Sequence, residues 1–147
     1  MYEKILLATD NSKQAEKAGK YVISMTKMSG ADIIVLYVID TYDFDIPQKD
    51  LKEQLEKQLR EEGKEAIEKF EKQLEEEQCA GSCKNVNLIN VIKVGKPADV
   101  IIETAEEEGV NQIIIGKSGK NALEKFLLGS TAEKVVRGSK IPVNVIS

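Results

Sequence analysis

The chain has 147 residues, 21 of them basic and 25 acidic, for a formal net charge of −4. That length suits one domain spanning 1–147, able to bury about 68–70% of the surface its unfolded chain would expose, with no disulfide framework. The mild acidity argues against nucleic acid or an anionic membrane as the main partner, since both need a concentrated basic face; one small polyanion held locally stays open.

Residues 3–9 (EKILLAT) form a short apolar run that reads as a buried strand, ending in the helix-capping residues Asp10-Asn11-Ser12. Over 13–28, Ala15, Ala18, Tyr21, Val22, Met25 and Met28 recur at helical spacing, and Gly30 follows as a C-cap. Residues 32–39 (DIIVLYVI) are β-branched and apolar, as in a parallel strand covered on both faces. Thr41 to Pro47 reads as a loop.

Residues 48–78 predict a long charged helix, with 11 acidic and 7 basic side chains. Leu51, Leu55, Leu59, Ile67, Phe70 and Leu74 make one apolar stripe along it. Glu53/Lys57, Glu56/Arg60, Glu65/Lys69 and Glu68/Lys72 stand at i,i+4 in the favourable order. Two readings fit: a partner-binding helix, or a solvated outer face packed along its leucine stripe.

A strand follows over 86–94, then the turn Gly95-Lys96-Pro97, with Pro97 well placed to start a helix over 98–108 closed by Gly109. Residues 110–115 (VNQIII) predict another buried strand. A glycine-rich loop leads to a helix over 130–137. A last strand spans 141–146, where Pro142 suits an edge or first-residue position. Strict alternation predicts an α/β fold: a doubly wound, five-stranded, mainly parallel sheet with helices on both faces, Rossmann-like in arrangement. Ligands bind such sheets beyond the carboxyl ends of the strands, where strand order reverses. That rule directs attention to Asp10, to Val38 through Asp40, and to the loop after Ile115.

The loop runs from Gly116 to Thr131. Gly116 and Gly119 bracket a turn straight after a buried strand, where missing side chains permit positive φ and close approach of backbone N–H groups to a ligand. Gly129-Ser130-Thr131 opens a helix whose free N–H groups and dipole attract phosphate. Lys117 and Lys120 add compact positive charge. Neither G-x-x-x-x-G-K-[ST] nor G-x-G-x-x-G occurs. On residue chemistry alone, a phosphate cradle and a plain glycine turn with a Ser/Thr cap are both open. Asp10 likewise reads as a helix cap or, from its place at a strand's end, a ligand contact.

Histidine is absent, which removes the usual neutral-pH base and the Ser-His-Asp and Cys-His triads. Cys79 and Cys83 are too few for a structural zinc site and read as plain loop thiols. The N-terminal MYEKILLATD meets an acidic residue at once, so no signal peptide is expected. No apolar run approaches the roughly 18 residues that span a bilayer, and a cytoplasmic protein is expected.

The spacing Gly116-x2-Gly119-x9-Gly129-Ser130, between the fourth strand and fourth helix, resembles the ATP-binding signature of the universal stress protein family. The likeness covers essentially the whole chain, including Ala8-Thr9-Asp10, Leu36-Tyr37-Val38-Ile39-Asp40, Val94-Gly95-Lys96-Pro97 and Ile141-Pro142-Val143. It implies ATP as ligand, with Mg or Mn on the triphosphate. By that resemblance Asp10 lies near the ribose and metal-bound phosphates, Thr9 beside it is a further nucleotide-binding position, and the Val38 backbone meets the adenine edge. Ile115 packs on the base and Gly116 lies by the ribose. Gly119, Gly129, Ser130 and Thr131 form the phosphate cradle, and Pro97 lies in a nearby turn. Lys117-Ser118 departs from the Ser/Thr-His/Arg pair common in the family, and Lys120 stands close by. The resemblance also implies a homodimer through strand 141–146.

Three functions follow as expectations. The first is a stress-response binding module or switch whose shape or dimer state follows nucleotide occupancy. The second is a slow metal-dependent ATPase, with Asp10 orienting metal or water and at most weak hydrolysis. The third is a nucleotide-free dimer acting through surfaces such as the 48–78 helix.

Overall fold

The computed structural model describes residues 3–41, 46–79, 86–118 and 128–147. Strands and helices alternate through them: β1 (Lys4–Thr9), α1 (Lys13–Ser29), β2 (Asp32–Asp40), α2 (Lys49–Cys79), β3 (Leu88–Gly95), α3 (Pro97–Glu108), β4 (Gln112–Gly116), α4 (Ser130–Gly138) and β5 (Val143–Ile146). The strands form one sheet in the order β3-β2-β1-β4-β5. Every pairing is parallel, with Ile5 opposite Ile33 and Gln112, Ile33 opposite Leu88, and Ile113 opposite Val143. The expected α/β sheet is present, and it is parallel throughout.

The alternation of side chains along each strand splits the core into two layers. Ile5, Leu7, Ile33, Val35, Tyr37 and Ile39 face α1 and α2, packing on Val22, Ile67, Phe70 and Leu74. Leu6, Ala8, Ile34, Leu36, Ile113 and Ile115 face α3 and α4, packing on Ile101, Ala105, Ala132 and Val135. Each fully buried Leu or Ile contributes about 1.5–3 kcal/mol over its exposed state. The central strands β1 and β2 carry most of these residues, with Ile5, Leu6, Ile33, Ile34, Val35 and Leu36 at 0% exposure.

Local chemistry sets the helix ends. The Ser12 side chain accepts the Ala15 N–H at 3.1 Å, capping α1, and Gly30 closes it in the left-handed region at φ 67. Pro97 opens α3, and Gly109 ends it at φ 64. Such positive φ is open to glycine at no steric cost.

The long charged helix forms over Lys49–Cys79, but only part of its stripe is packed. Ile67, Phe70 and Leu74 are buried and Leu59 packs against the same layer, whereas Leu51 is 49% exposed. At 1.5 Å per residue its 31 residues run about 46 Å, longer than the strands it crosses, so its first turns project past them. Glu56 and Arg60 pair at 3.2 Å as the spacing predicts. Lys69 instead reaches Glu16, and Lys27 meets Glu77 at 2.6 Å, tying α2 to α1.

Candidate functional site

The order β3-β2-β1-β4-β5 reverses between β1 and β4. A cleft of about 460 Å³ opens there at the carboxyl ends of the strands, within the range of small-molecule sites. Its floor is built by the strand ends: Ala8, Thr9 and Asp10 after β1, Leu36 to Asp40 on β2, and Ile115 and Gly116 on β4. Its walls are Pro97 and Ile101 of α3, Leu59 of α2, and Gly129 to Ala132 at the start of α4.

The sites expected at Thr9, Asp10, Val38, Pro97, Ile115, Gly116, Gly129, Ser130 and Thr131 therefore come together in one cavity, from both halves of the chain. Lys117 stands beside it, outside the lining, where its N–H donates to the Ile146 carbonyl at 2.7 Å and its carbonyl accepts the Gly129 N–H at 2.8 Å. Gly119 and Lys120 lie outside the described residues, as do Cys83 and the Cys79 side chain.

Asp10 is not the helix cap, a place that Ser12 takes, but it supports the entry to α1. Its Oδ1 accepts the Ser12 N–H at 3.0 Å, an Asx turn that delivers the chain into α1. The same residue lines the cleft. Asn11 between them takes φ 64, a left-handed conformation that Asn tolerates better than most residues.

Two glycines at the cleft have a packing reason of their own. Gly116 is not among the positive-φ residues. A Cβ there would lie 2.9 Å from the backbone carbon of Gln14 and 3.0 Å from its oxygen. Its missing side chain lets the first turn of α1 sit directly on β4. Gly129 has φ −62, and a Cβ on it would meet the Ser118 Cα at 3.0 Å and the Lys117 oxygen at 3.2 Å. It lets the start of α4 close on the exit of β4. Both glycines hold the cleft together by packing backbone against backbone.

The lining has two characters. Leu36, Val38, Ile101, Ile115 and Ala132 form an apolar slot on the α3/α4 side. Thr9, Ser12, Ser118, Ser130 and Thr131 bring hydroxyls, and the N-terminal ends of α1 and α4 bring backbone N–H groups. Neither Ser130 nor Thr131 serves as the α4 cap: that position is Gly129, which has no side chain to bond. The first N–H groups of α4 therefore lack side-chain capping, the condition under which a helix end binds an anion. Ser12, Ser118, Tyr37, Asp40 and Leu59 are lining residues beyond those expected as contacts. The strand-end rule pointed toward Asp40, whereas no pattern in the sequence brings Leu59, on a distant helix, to this place. Among the described residues, no group of three or more acidic or cysteine side chains could hold a metal ion unaided. No described helix is long and apolar enough to cross a membrane.

Comparison with known proteins agrees with this architecture. The model of the universal stress protein family matches residues 1–147. The chain belongs to the universal stress protein family. A universal stress protein of Methanocaldococcus jannaschii is 35% identical over 147 residues, covering 99% of this chain and 82% of the relative. The solved structure of MJ0577, a second universal stress protein of that organism, superimposes with a TM-score of 0.84 at 36% identity, covering 99% of this chain and 96% of the other. An Arabidopsis thaliana universal stress protein family member solved with AMP bound has the same fold, with a TM-score of 0.67 at 18% identity and 98% and 90% coverage.

Proposed function

We propose that this universal stress protein, as a single domain over 1–147, binds an adenine nucleotide in the cleft at the β1/β4 switch point, with ATP as the principal ligand, and works as a nucleotide-dependent switch. The observation that carries the reading is the cleft itself. Its apolar slot fits a flat base, and its opposite end offers hydroxyls and an uncapped helix N-terminus to phosphate. The AMP held by a relative of the same fold is in keeping with this.

In this reading the Val38 backbone meets the adenine edge and Ile115 packs on the base, while Thr9, Asp10 and Gly116 border the ribose. Gly129, Ser130 and Thr131 receive the phosphates together with Gly119, and Lys117 and Lys120 add charge. Pro97 closes the base end. Mg or Mn on the triphosphate fits Asp10, since such ions bind through one or two carboxylates plus substrate phosphates. The ion would neutralise phosphate charge beside that carboxylate. β5 is a sheet edge with all four residues half-buried, and we assign it the homodimer contact. Occupancy of the cleft could then reach the dimer through the Lys117 N–H bond to Ile146.

The test is calorimetric titration with ATP and Mg, beside acid extraction of the purified protein and anion-exchange analysis for bound nucleotide. Saturable binding is expected in the wild type and its loss in Gly129→Val, with the circular dichroism spectrum retained. An absence of binding in the wild type would overturn the proposal.

A further inference from the structure

The proposed nucleotide site leaves one charged lining residue without a role. Asp40 ends β2 and lines the cleft. Leu36 and Val38 belong to the α3/α4-side layer, and the two-residue period of a strand puts Asp40 on that same face. It pairs in register with Gly95, just before the Pro97 that also lines the cavity.

Sheet order fixes which end of the cleft this is. β2 stands two strands from β4, about 9.5 Å at ordinary strand spacing. The helix start formed by Gly129, Ser130 and Thr131 follows β4 in the chain and packs on its exit through the Gly129 N–H bond to Lys117. Asp40 is therefore at the end away from α4, with the apolar slot of Val38, Ile101 and Ile115 between them. A nucleotide with phosphates at α4 and its base in the slot turns the outer edge of the ring toward Asp40.

Resting on the nucleotide reading above, we infer that Asp40 selects the base: its carboxylate accepts a hydrogen bond from an exocyclic amine on the ring's outer edge. An ionised carboxylate only accepts, and it has about four lone-pair sites. Asp40 also interacts within the chain, and one hydrogen bond uses only one of those acceptor sites. A purine without the amine leaves the carboxylate facing a C–H group, and a site built for a hydrogen bond rejects the analogue that lacks it.

The test compares binding of ATP, purine riboside triphosphate and 2′-deoxyATP to wild type, Asp40→Ala and Asp40→Asn by calorimetry, with urea midpoints as folding controls. Wild type is expected to prefer ATP over purine riboside triphosphate by about tenfold or more, the range of a hydrogen bond to a charged group. Asp40→Ala should lower that preference several-fold, the Val38 backbone keeping the remainder, and Asp40→Asn, which keeps one acceptor oxygen, should lower it less. A preference that is absent in wild type or unchanged in Asp40→Ala overturns the inference and leaves the nucleotide site standing. If Asp40→Ala weakens ATP but spares 2′-deoxyATP, the carboxylate serves the ribose and the inference falls. If wild type binds none of the three, the nucleotide reading and this one fall together.

Discussion

Replacing Gly116 by alanine separates two reasons for a glycine at the exit of β4. If the glycine serves ligand approach, Gly116→Ala folds as well as wild type and loses only nucleotide affinity. The structure predicts otherwise. The added methyl would stand 2.9 Å from both the backbone carbon and the Cβ of Gln14, and 3.0 Å from its oxygen. These are not the far end of a flexible side chain: they belong to the first turn of α1, fixed by the Ser12 cap. Gly116 itself is held in the sheet opposite Ile146. One side or the other must move by several tenths of an ångström, and overpacking of this kind costs about 1–3 kcal/mol. For a chain of this size each kcal/mol lowers the melting temperature by about 2–4 °C, so a fall of about 2–12 °C is expected without any ligand. Urea unfolding of the nucleotide-free protein is the assay, with the midpoint falling and the slope unchanged. Because Ser12 and Asp10 line the cleft at that turn, ATP affinity should fall as well. A nucleotide-free variant as stable as wild type would refute the reasoning, whatever its affinity.

Other substitutions test other contacts. Gly63→Ala should gain about 1 kcal/mol of helix propensity, yet its Cβ would lie 2.8 Å from the Tyr37 ring. The net effect expected by urea denaturation is destabilisation of up to about 2 kcal/mol, and a more stable variant would show that α2 yields easily. Asn11 at φ 64 should accept glycine with little change, whereas Asn11→Ala should cost about 1–2 kcal/mol, read from the same midpoints. Lys69, through its hydrogen bond to the Glu16 carboxylate, holds that group below its ordinary pKa of 4.5. A carboxylate with a lowered folded-state pKa adds stability above its unfolded value, and that gain is lost as pH falls through the folded value. Glu16→Gln should therefore lower the midpoint slightly at pH 7 and less as pH falls below 4.5; both partners are solvent-exposed, so the effect is small.

Much of the framework was legible because its signals are local. The apolar runs at 32–39 and 110–115, the Ser12 and Gly30 caps and the Pro97 start each depend on a few adjacent residues. The topology rule then pointed to Asp10, Val38 to Asp40 and the loop after Ile115, and of these Asp10, Val38 to Asp40, Gly116, Ser118 and Gly129 to Thr131 line the cleft. What could not be read depends on distance. Helical spacing links Leu51 step by step to Leu74 in one slowly winding stripe but does not say where the sheet beneath it stops. Gly63 looks like a flaw in a good helix until Tyr37 is seen against it. Gly116 shows its reason only when Gln14, about a hundred positions earlier, is brought over it.

The place of β1 in the sheet bears on how the protein is made. It is the earliest strand in the chain and also the central one, between β2 and β4. Its partner across the chain comes late: the Lys4 N–H is matched by the Asn111 side chain, 107 residues further on. On the ribosome, β1, α1, β2 and β3 can assemble half a sheet early, but one edge of its central strand β1 stays open until β4 has been synthesised. At about 5–20 residues per second, that interval is seconds long, and through it Leu6 and Ala8 await the layer that α4 completes.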